Sequence, residues 1–105
     1  MSRLTIRAPA AAEYRDPETK GWRMGLLVSI GRKNGRMLVF GPVRLRQIPL
    51  RDIRSTWRPR GGLAHARVTM EHAARQNYGG SLKLAPKNVR TAFQELRQHT
   101  SRKEG

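Results

Sequence analysis

Apolar and polar residues alternate most clearly in the stretch that begins at Trp22. Apolar side chains occupy every second position, namely Trp22, Met24, Leu26, Val28 and Ile30. A period of two is typical of a β-strand with one buried face. Asn34-Gly35 is a strong hairpin signal, because both residues tolerate positive φ, and residues 36–40 then predict the return strand. Gly41-Pro42 predicts a second turn, into a strand over residues 43–48.

Shorter elements are predicted on both sides of these three strands. Residues 3–7 alternate and predict a first strand, with Leu4 and Ile6 inward. Residues 8–14 are interpreted as a loop or a short helical turn, and residues 15–21 as a loop rich in turn formers. After Pro49, residues 50–54 suit a single helical turn and residues 55–57 a last short strand.

The predicted fold class is α+β, with a small antiparallel unit of four or five strands followed by two C-terminal α-helices. The strand order and the single turn before the last strand resemble those of SH3-like barrels, a form common among DNA- and RNA-binding modules. The resemblance concerns about half of the chain and implies either a small barrel or a curled sheet. It does not by itself assign a function.

The second half of the chain has a helical period. Residues 58–62 are interpreted as an Arg/Pro/Gly linker, although their composition also resembles arms that lie in A·T-rich minor grooves. Apolar residues at three- and four-residue spacing predict a helix that begins at Leu63 or only at Thr69 and ends at Gly79-Gly80. Residues 81–84 are predicted to be extended.

A second helix is predicted to open at Pro86 and to bury a stripe formed by Val89, Ala92, Phe93 and Leu96. Residues 85–96 resemble the second helix of bacterial helix-turn-helix regulators, with residues 70–75 as the partner. The connection over residues 79–85 is longer than the tight turn of that motif. The domain prediction is a basic β-unit over residues 1–57, the linker, a helical pair over residues 63–100 packed on it, and a flexible tail over residues 101–105, together one compact domain.

The net charge of the chain gives the strongest indication of its function. The chain of 105 residues carries 22 Lys plus Arg against 7 Asp plus Glu, a formal net charge of +15. Such an excess repels itself and favours an anionic partner. Among anionic partners, nucleic acid is favoured over a membrane surface or an acidic protein. The preponderance of arginine favours bidentate contacts to phosphate, and a GC-rich genome would explain it equally well.

The sequence offers little for catalysis or cofactor binding. It contains no cysteine, so disulfides and thiolate metal sites are excluded. His65 and His72 lie two helical turns apart, on the order of 10 Å, too far to share one ion. No phosphate-cradling GxxxxGK[ST] and no GxGxxG is present, and the acids are too scattered for a metal-dependent nuclease. Glu71 is interpreted as a helix N-terminal charge or an ion-pair partner. We therefore predict a non-enzyme with no cofactor and no metal.

Between residues 32 and 60 cations are dense and Asp52 is the only acid, which predicts a contiguous positive patch. The predicted nucleic-acid-binding residues are Arg32, Lys33, Arg36, Arg44, Arg46, Arg51, Arg54, Arg58 and Arg60, with secondary contacts from Lys87 and Arg90. Arg44 and Arg46 alternate with Val43 and Leu45 and should point away from the core. Trp22 and Trp57 bracket the region and are expected to be buried.

These patterns predict a small nucleic-acid-binding protein that contacts mainly phosphates. Double-stranded DNA is favoured over RNA, because exposed stacking aromatics are expected to be scarce. The alternative is a basic inhibitor or adaptor of a larger nucleic-acid-processing or phage-defence complex, and a third candidate is a ribosome- or RNA-associated protein. No membrane span or signal peptide is predicted. The expected location is therefore the bacterial cytoplasm, nucleoid or infected host cell, as for an accessory protein of a chromosome, phage or plasmid. The oligomeric state stays open.

Overall fold

The structure, a computed structural model, describes residues 6–54 and 59–104, with side chains up to Thr100. Over these residues the chain is α+β, with a five-stranded antiparallel sheet followed by two C-terminal helices. The strands are β1 (Ala10–Arg15), β2 (Trp22–Ile30), β3 (Asn34–Val39), β4 (Arg44–Pro49) and β5 (Ile53–Arg54), and the helices are α1 (Gly62–Asn77) and α2 (Lys87–Glu104). Short 3-10 turns occupy Leu50–Asp52 and Leu82–Leu84. None of the described helices is long and apolar enough to cross a membrane.

The sheet is strongly curled but open. Its strand order is β4-β3-β2-β1-β5, so β4 and β5 form opposite edges although only the 3-10 turn Leu50–Asp52 joins them. A 3-10 turn rises about 2 Å per residue, whereas four interstrand spacings in a flat sheet span about 19 Å. The sheet must therefore curl to bring its edges close. Consistently, a Cβ added at Gly35 on β3 would lie 2.8 Å from Ile53 Cδ1 on β5.

The predictions of an α+β chain, of antiparallel strands and of two C-terminal helices are confirmed. The closed-barrel alternative is wrong, because β4 and β5 do not pair with each other. β2 lies where the alternation predicts it, and it forms the predicted hairpin with β3. The turn is at residues 31–33, however, and Asn34 and Gly35 are already the first residues of β3, without the positive φ that the Asn-Gly signal predicts. β4 also agrees within one residue at each end.

Both faces of the sheet are buried, which explains why several strands are apolar at consecutive positions. Leu26, Val28 and Leu38 belong to a core between the sheet and the two helices. Their neighbours Leu27 and Met37 point to the inner face of the curl, into a second core. The other members of that second core are Ala12, Tyr14, Val39, Ile48 and Ile53.

The first strand differs from the prediction. β1 occupies Ala10–Arg15, where a loop or helical turn was expected, and Ile6 is part of no strand. Alanine has a low intrinsic β-propensity, but pairing and packing decide strand formation. Ala12 pairs with Gly25 and is fully buried, so a small side chain suits the inner face there. Leu4 and the strand predicted over residues 55–57 lie outside the described residues.

The helix boundaries agree only in part with the predictions. α1 starts at Gly62, one residue before the predicted start at Leu63. The alternative start at Thr69 is wrong, and the Thr69 hydroxyl instead donates to His65 O within the helix (3.1 Å). The stop at Gly79-Gly80 is confirmed: both have positive φ, and the Gly80 amide donates to Arg75 O (2.6 Å). Residues 82–84 form a 3-10 turn rather than the predicted extended segment. α2 starts one residue after Pro86 and continues to Glu104, through most of the predicted tail.

Candidate functional site

The predicted cations do not form a single patch, because the fold distributes them over several surfaces. Arg32 and Lys33 lie exposed at the tip of the β2–β3 hairpin. Arg36 faces α2, whereas Arg44 and Arg46 lie on the inner face of the sheet. The remaining predicted cations are Arg51 in the 3-10 turn, Arg54 at the end of β5, Arg60 just before α1, and Lys87 and Arg90 exposed on α2. Arg58 lies outside the described residues.

Arg36 connects the sheet to α2. Its guanidinium donates to the Ser29 hydroxyl (3.0 Å) and lies 3.3 Å from a carboxylate oxygen of Glu95. The alternation of β3 places Arg36 on the same face as Leu38, which packs under the helices. Arg36 is therefore engaged in holding the two layers together and offers little to an external ligand.

Arg54 is also engaged. Its Nε donates to a Glu13 carboxylate oxygen (3.1 Å), and its Cζ lies 3.9 Å from the centroid of the Trp22 ring. Trp22 itself is 38% exposed, so the prediction that it is buried is wrong. The helices cover β2 only from Leu26 onward, and the beginning of the strand projects beyond them. Trp57 lies outside the described residues.

Arg44 and Arg46 lie near a buried tyrosine. Leu45, between them, packs toward the helices, so the two arginines point to the opposite, inner face of the sheet. They point away from the core under the helices, as predicted, but toward the face that carries the second core, which the alternation does not predict. Burial raises the pKa of the Tyr14 phenol, and the negative charge of Asp16 raises it further. The positive charges of Arg46, Arg23 and Arg44 act in the opposite direction. The three guanidiniums are thus close enough to Tyr14 to act on it electrostatically.

Asp16 organises the β1–β2 loop beside these arginines. Its Oδ1 accepts the amide of Glu18 (2.8 Å), and its Oδ2 lies 3.3 Å from Arg23 Nε. The hydrogen bond from the Glu18 amide lowers the pKa of Asp16 most. Burial raises that pKa, but the Thr19 amide and the Arg23 guanidinium lower it further, so it lies below its ordinary value. The Asp16 backbone closes the loop by bonding to Lys20 and Gly21. The carboxylate therefore stays ionised, but its charge is partly balanced by Arg23 at the start of β2.

A shallow cleft of about 460 Å³ opens between this loop and the 3-10 turn, lined by Arg15, Asp16, Pro17, Lys20, Arg51 and Asp52. Asp16 thus lies between the cleft and the arginines around Tyr14. We call the cations on its two sides the Asp16 cluster, and they are Arg15, Lys20, Arg23, Arg44, Arg46 and Arg51. Within the described part of the chain, only Arg23 among them forms a salt bridge.

The hairpin tip adjoins the same turn. The Leu50 amide donates to Lys33 O (2.8 Å), so the tip is held directly next to Arg51. A second shallow groove, of about 410 Å³, includes Arg32, Lys33 and Gln47 in its lining. The Asp16 cluster and the hairpin tip are therefore neighbours through the 3-10 turn.

Arg15, Lys20 and Arg23 were missed by sequence reasoning. They lie in and beside a loop whose acids, Asp16 and Glu18, make the local charge look balanced. Only the fold shows that Asp16 is bonded within the loop and that the loop lies beside Arg51. The turn-forming composition of residues 15–21 was the available signal, since loops often carry binding residues.

On the helical pair, ion pairs between charged side chains stabilise the packing of the two helices. The carboxylate of buried Glu71 accepts bonds from Arg67 (2.7 Å) and Arg97 (2.9 and 3.0 Å), with Arg75 at 3.7 Å. Burial raises the pKa of Glu71, but the bonds from Arg97 and Arg67 outweigh it, and the pKa lies below its ordinary value. The ion-pair interpretation of Glu71 is confirmed. Val89, Ala92, Phe93 and Leu96 are buried in the core, as the predicted stripe requires.

Comparison of the chain with protein-family models, with curated proteins and with solved structures gave no match.

Proposed function

We propose that this protein is a small non-enzymatic nucleic-acid-binding protein, in which the Asp16 cluster and the hairpin tip contact phosphates. The observation that supports this most is the contrast between neighbouring charges. Asp16 is bonded within its loop and to Arg23, whereas Arg15, Lys20, Arg44, Arg46 and Arg51 form no salt bridge with any described residue. Unpaired guanidiniums are well suited to bidentate phosphate contacts.

The geometry favours backbone contacts over base reading. Most of the cations lie on a loop, a 3-10 turn and a strand edge, none of which is of the kind that enters a major groove. The β2–β3 hairpin contributes only Arg32 and Lys33 at its tip. Contacts of this kind provide affinity and register but little sequence information. Nucleic acid remains the proposed partner, with a bacterial or infected-cell cytoplasm as the proposed location. The exposure of Trp22 removes the scarcity of exposed aromatics as a reason for preferring duplex DNA over RNA, so the titration below decides between the polymers.

An SH3-like relationship is part of the same proposal. It is supported by the order of the elements: β5 follows a 3-10 turn and adds to β1 through Glu13↔Arg54 and Tyr14↔Ile53. In this arrangement the β1–β2 loop, the β2–β3 hairpin and the 3-10 turn lie together. These are the elements that carry the proposed phosphate contacts.

The inhibitor or adaptor alternative has less support. Exposed apolar residues on the second helix would support it, but Val89, Ala92, Phe93 and Leu96 are all buried. The exposed residues Lys87 and Arg90 on that helix are suited to secondary phosphate contacts instead.

The test is a fluorescence-anisotropy titration against duplex DNA, single-stranded DNA and duplex RNA of equal length, at two salt concentrations that differ fourfold. If about five phosphates are neutralised, affinity for the preferred polymer should fall by about 10²–10³ at the higher salt. A flat salt response, or no binding to any polymer at micromolar protein and low salt, would overturn the proposal. Direct binding to a purified acidic protein in that case would establish the adaptor alternative.

A further inference from the structure

The start of β2 carries an aromatic surface that the phosphate contacts do not use. Trp22 is 38% exposed and Met24 48% exposed, although both belong to a strand whose next residues are fully buried. A shallow pocket of about 420 Å³ is lined by Tyr14, Trp22, Arg23, Met24 and Phe40. An exposed tryptophan beside an open pocket is a feature of binding surfaces more than of a protein core.

The indole ring of Trp22 is held in place before any ligand arrives. The Arg54 guanidinium covers one face of the ring at 3.9 Å from its centroid, and Arg54 is itself fixed by Glu13 at 3.1 Å. A cation over one face of an indole is stabilising, and a ring ordered in advance loses less entropy when it binds. The remaining exposed area of the ring is free for a flat partner.

Charge indicates what that partner is. Arg23 lines the same pocket as Trp22 and belongs to the Asp16 cluster, with a side chain that is 53% exposed. A partner placed there meets an aromatic ring and the guanidinium of Arg23 together. A nucleotide offers both matching features, a π-face and a phosphate, whereas an apolar peptide or a second copy of this chain would leave or add uncompensated positive charge.

Resting on the proposed nucleic-acid function, we infer that Trp22 stacks against one unpaired base while Arg23 and its neighbours contact the adjoining phosphates. Base–aromatic stacking is sequence-tolerant and is used by proteins that bind single strands. In a duplex the base faces are covered by their neighbours in the stack. The inference therefore assigns the protein a preference for DNA with unpaired bases over a perfect duplex.

The test compares two labelled single strands with the same number of phosphates, an oligothymidylate and an abasic oligonucleotide. The protein should bind the oligothymidylate about 5- to 150-fold more tightly. Trp22→Leu, which keeps apolar bulk but no π-face, should lose that preference, and Trp22→Phe should keep most of it. Val68→Ala is the matched control, because Val68 is 51% exposed on α1 and should leave the preference unchanged. Thermal melting verifies that each variant is folded.

Equal affinity of the unaltered protein for the two strands would overturn the stacking inference without requiring any variant. If that binding were still steeply salt-dependent, the proposed function would stand alone. Retention of the preference by Trp22→Leu would equally overturn the role of Trp22. The role of Trp22 would also be overturned if sedimentation equilibrium showed a dimer that Trp22→Leu converts to a monomer. The indole would then be covered by a second copy of the chain.

Discussion

Glu71 is the residue whose environment differs most from that of an ordinary surface charge. A single buried carboxylate is approached by Arg67, Arg75 and Arg97, two from its own helix and one from α2. A helix-spaced Glu with arginines four residues before and after predicts part of this arrangement. The bond from Arg97 depends on how the two helices pack and is not visible in the sequence.

Glu71→Gln should lower the free energy of unfolding at neutral pH by about 1.5–3 kcal/mol, because three charge-assisted hydrogen bonds become weaker or are lost and the arginines lose their counter-charge. Glu95→Gln is the matched control. The Glu95 side chain is 41% exposed and pairs with Arg36, so its loss should cost less than about 1 kcal/mol. Urea denaturation of both variants measures the difference, and equal losses would contradict the special role of Glu71.

The same carboxylate should make stability depend on pH. Because the pKa of Glu71 is lower in the folded protein than its ordinary value of 4.5, its contribution is complete above about pH 4.5. It is lost as the pH falls through the folded pKa. Acidification from neutral pH should therefore destabilise the unaltered protein more than Glu71→Gln, and the two unfolding curves should converge. Parallel curves down to acidic pH would show that Glu71 is not the group responsible.

At the scale of elements, small residues on the inner face permit the curl. Ala12 on β1 pairs with Gly25 on β2, and Gly25 in turn pairs with Val39 on β3. A Cβ added at Gly25 would lie 2.7 Å from Leu38 O and 3.1 Å from Met37 Cε. The backbone of β3 cannot move away without disturbing its pairing with β4. Alternation predicts that β2 exists, but it does not predict which position must lack a side chain.

Gly25→Ala should therefore destabilise the protein by about 1–3 kcal/mol, the cost typical of overpacking. Gly21→Ala is the control, because the nearest atom to its added Cβ is Thr19 Oγ1 at an ordinary 3.7 Å. That change should stay within about 0.5 kcal/mol. Thermal unfolding monitored by circular dichroism compares the two, and an unaffected Gly25→Ala variant would mean that β2 and β3 separate more easily than their contact indicates.

Prediction of the elements succeeded where the signal is local. The β2–β3 hairpin was found from the alternation of its strands, although its turn lies at residues 31–33 and not at Asn34-Gly35. The Gly79-Gly80 helix stop was found because glycine adopts positive φ without steric cost wherever it occurs. β1 was missed because Ala10–Arg15 has no strand signal of its own and becomes a strand by pairing with β2 on one side and β5 on the other. Pairing of this kind is a non-local property.

At the scale of the whole molecule, the +15 net charge is unevenly compensated. The acids Glu13, Asp16, Glu71 and Glu95 pair with arginines at the sheet edge, in a loop and at the helix interfaces. The Asp16 cluster retains five cations without a salt bridge to a described residue. These four acids are thus used in internal pairs, whereas the Asp16 cluster keeps a net positive charge. Lys83, Lys87 and Arg90 on the helical side also form no salt bridge with a described residue.

If these cations contact phosphates, Arg44→Ala should weaken binding and reduce the slope of log affinity against log salt by about one. Arg51→Ala should do the same. Lys83→Ala removes an equal charge from the exposed 3-10 turn between the helices and should leave the slope unchanged. Anisotropy titrations over a salt series measure all three, and a slope that follows net charge alone would argue against a defined site.

The sequence alone determined the class of fold, the hairpin, the amphipathic helices, the surplus of cations and the inward direction of alternate residues, because these depend on neighbouring residues and on composition. Only the tertiary structure decided that the sheet curls without closing, that Arg36 and Arg54 are used internally, that Arg15, Lys20 and Arg23 join Arg51, and that Trp22 is exposed. Each of these depends on which distant segments meet. How far a guanidinium is available to a ligand depends on whether folding has brought a carboxylate to it, and no local pattern contains that information.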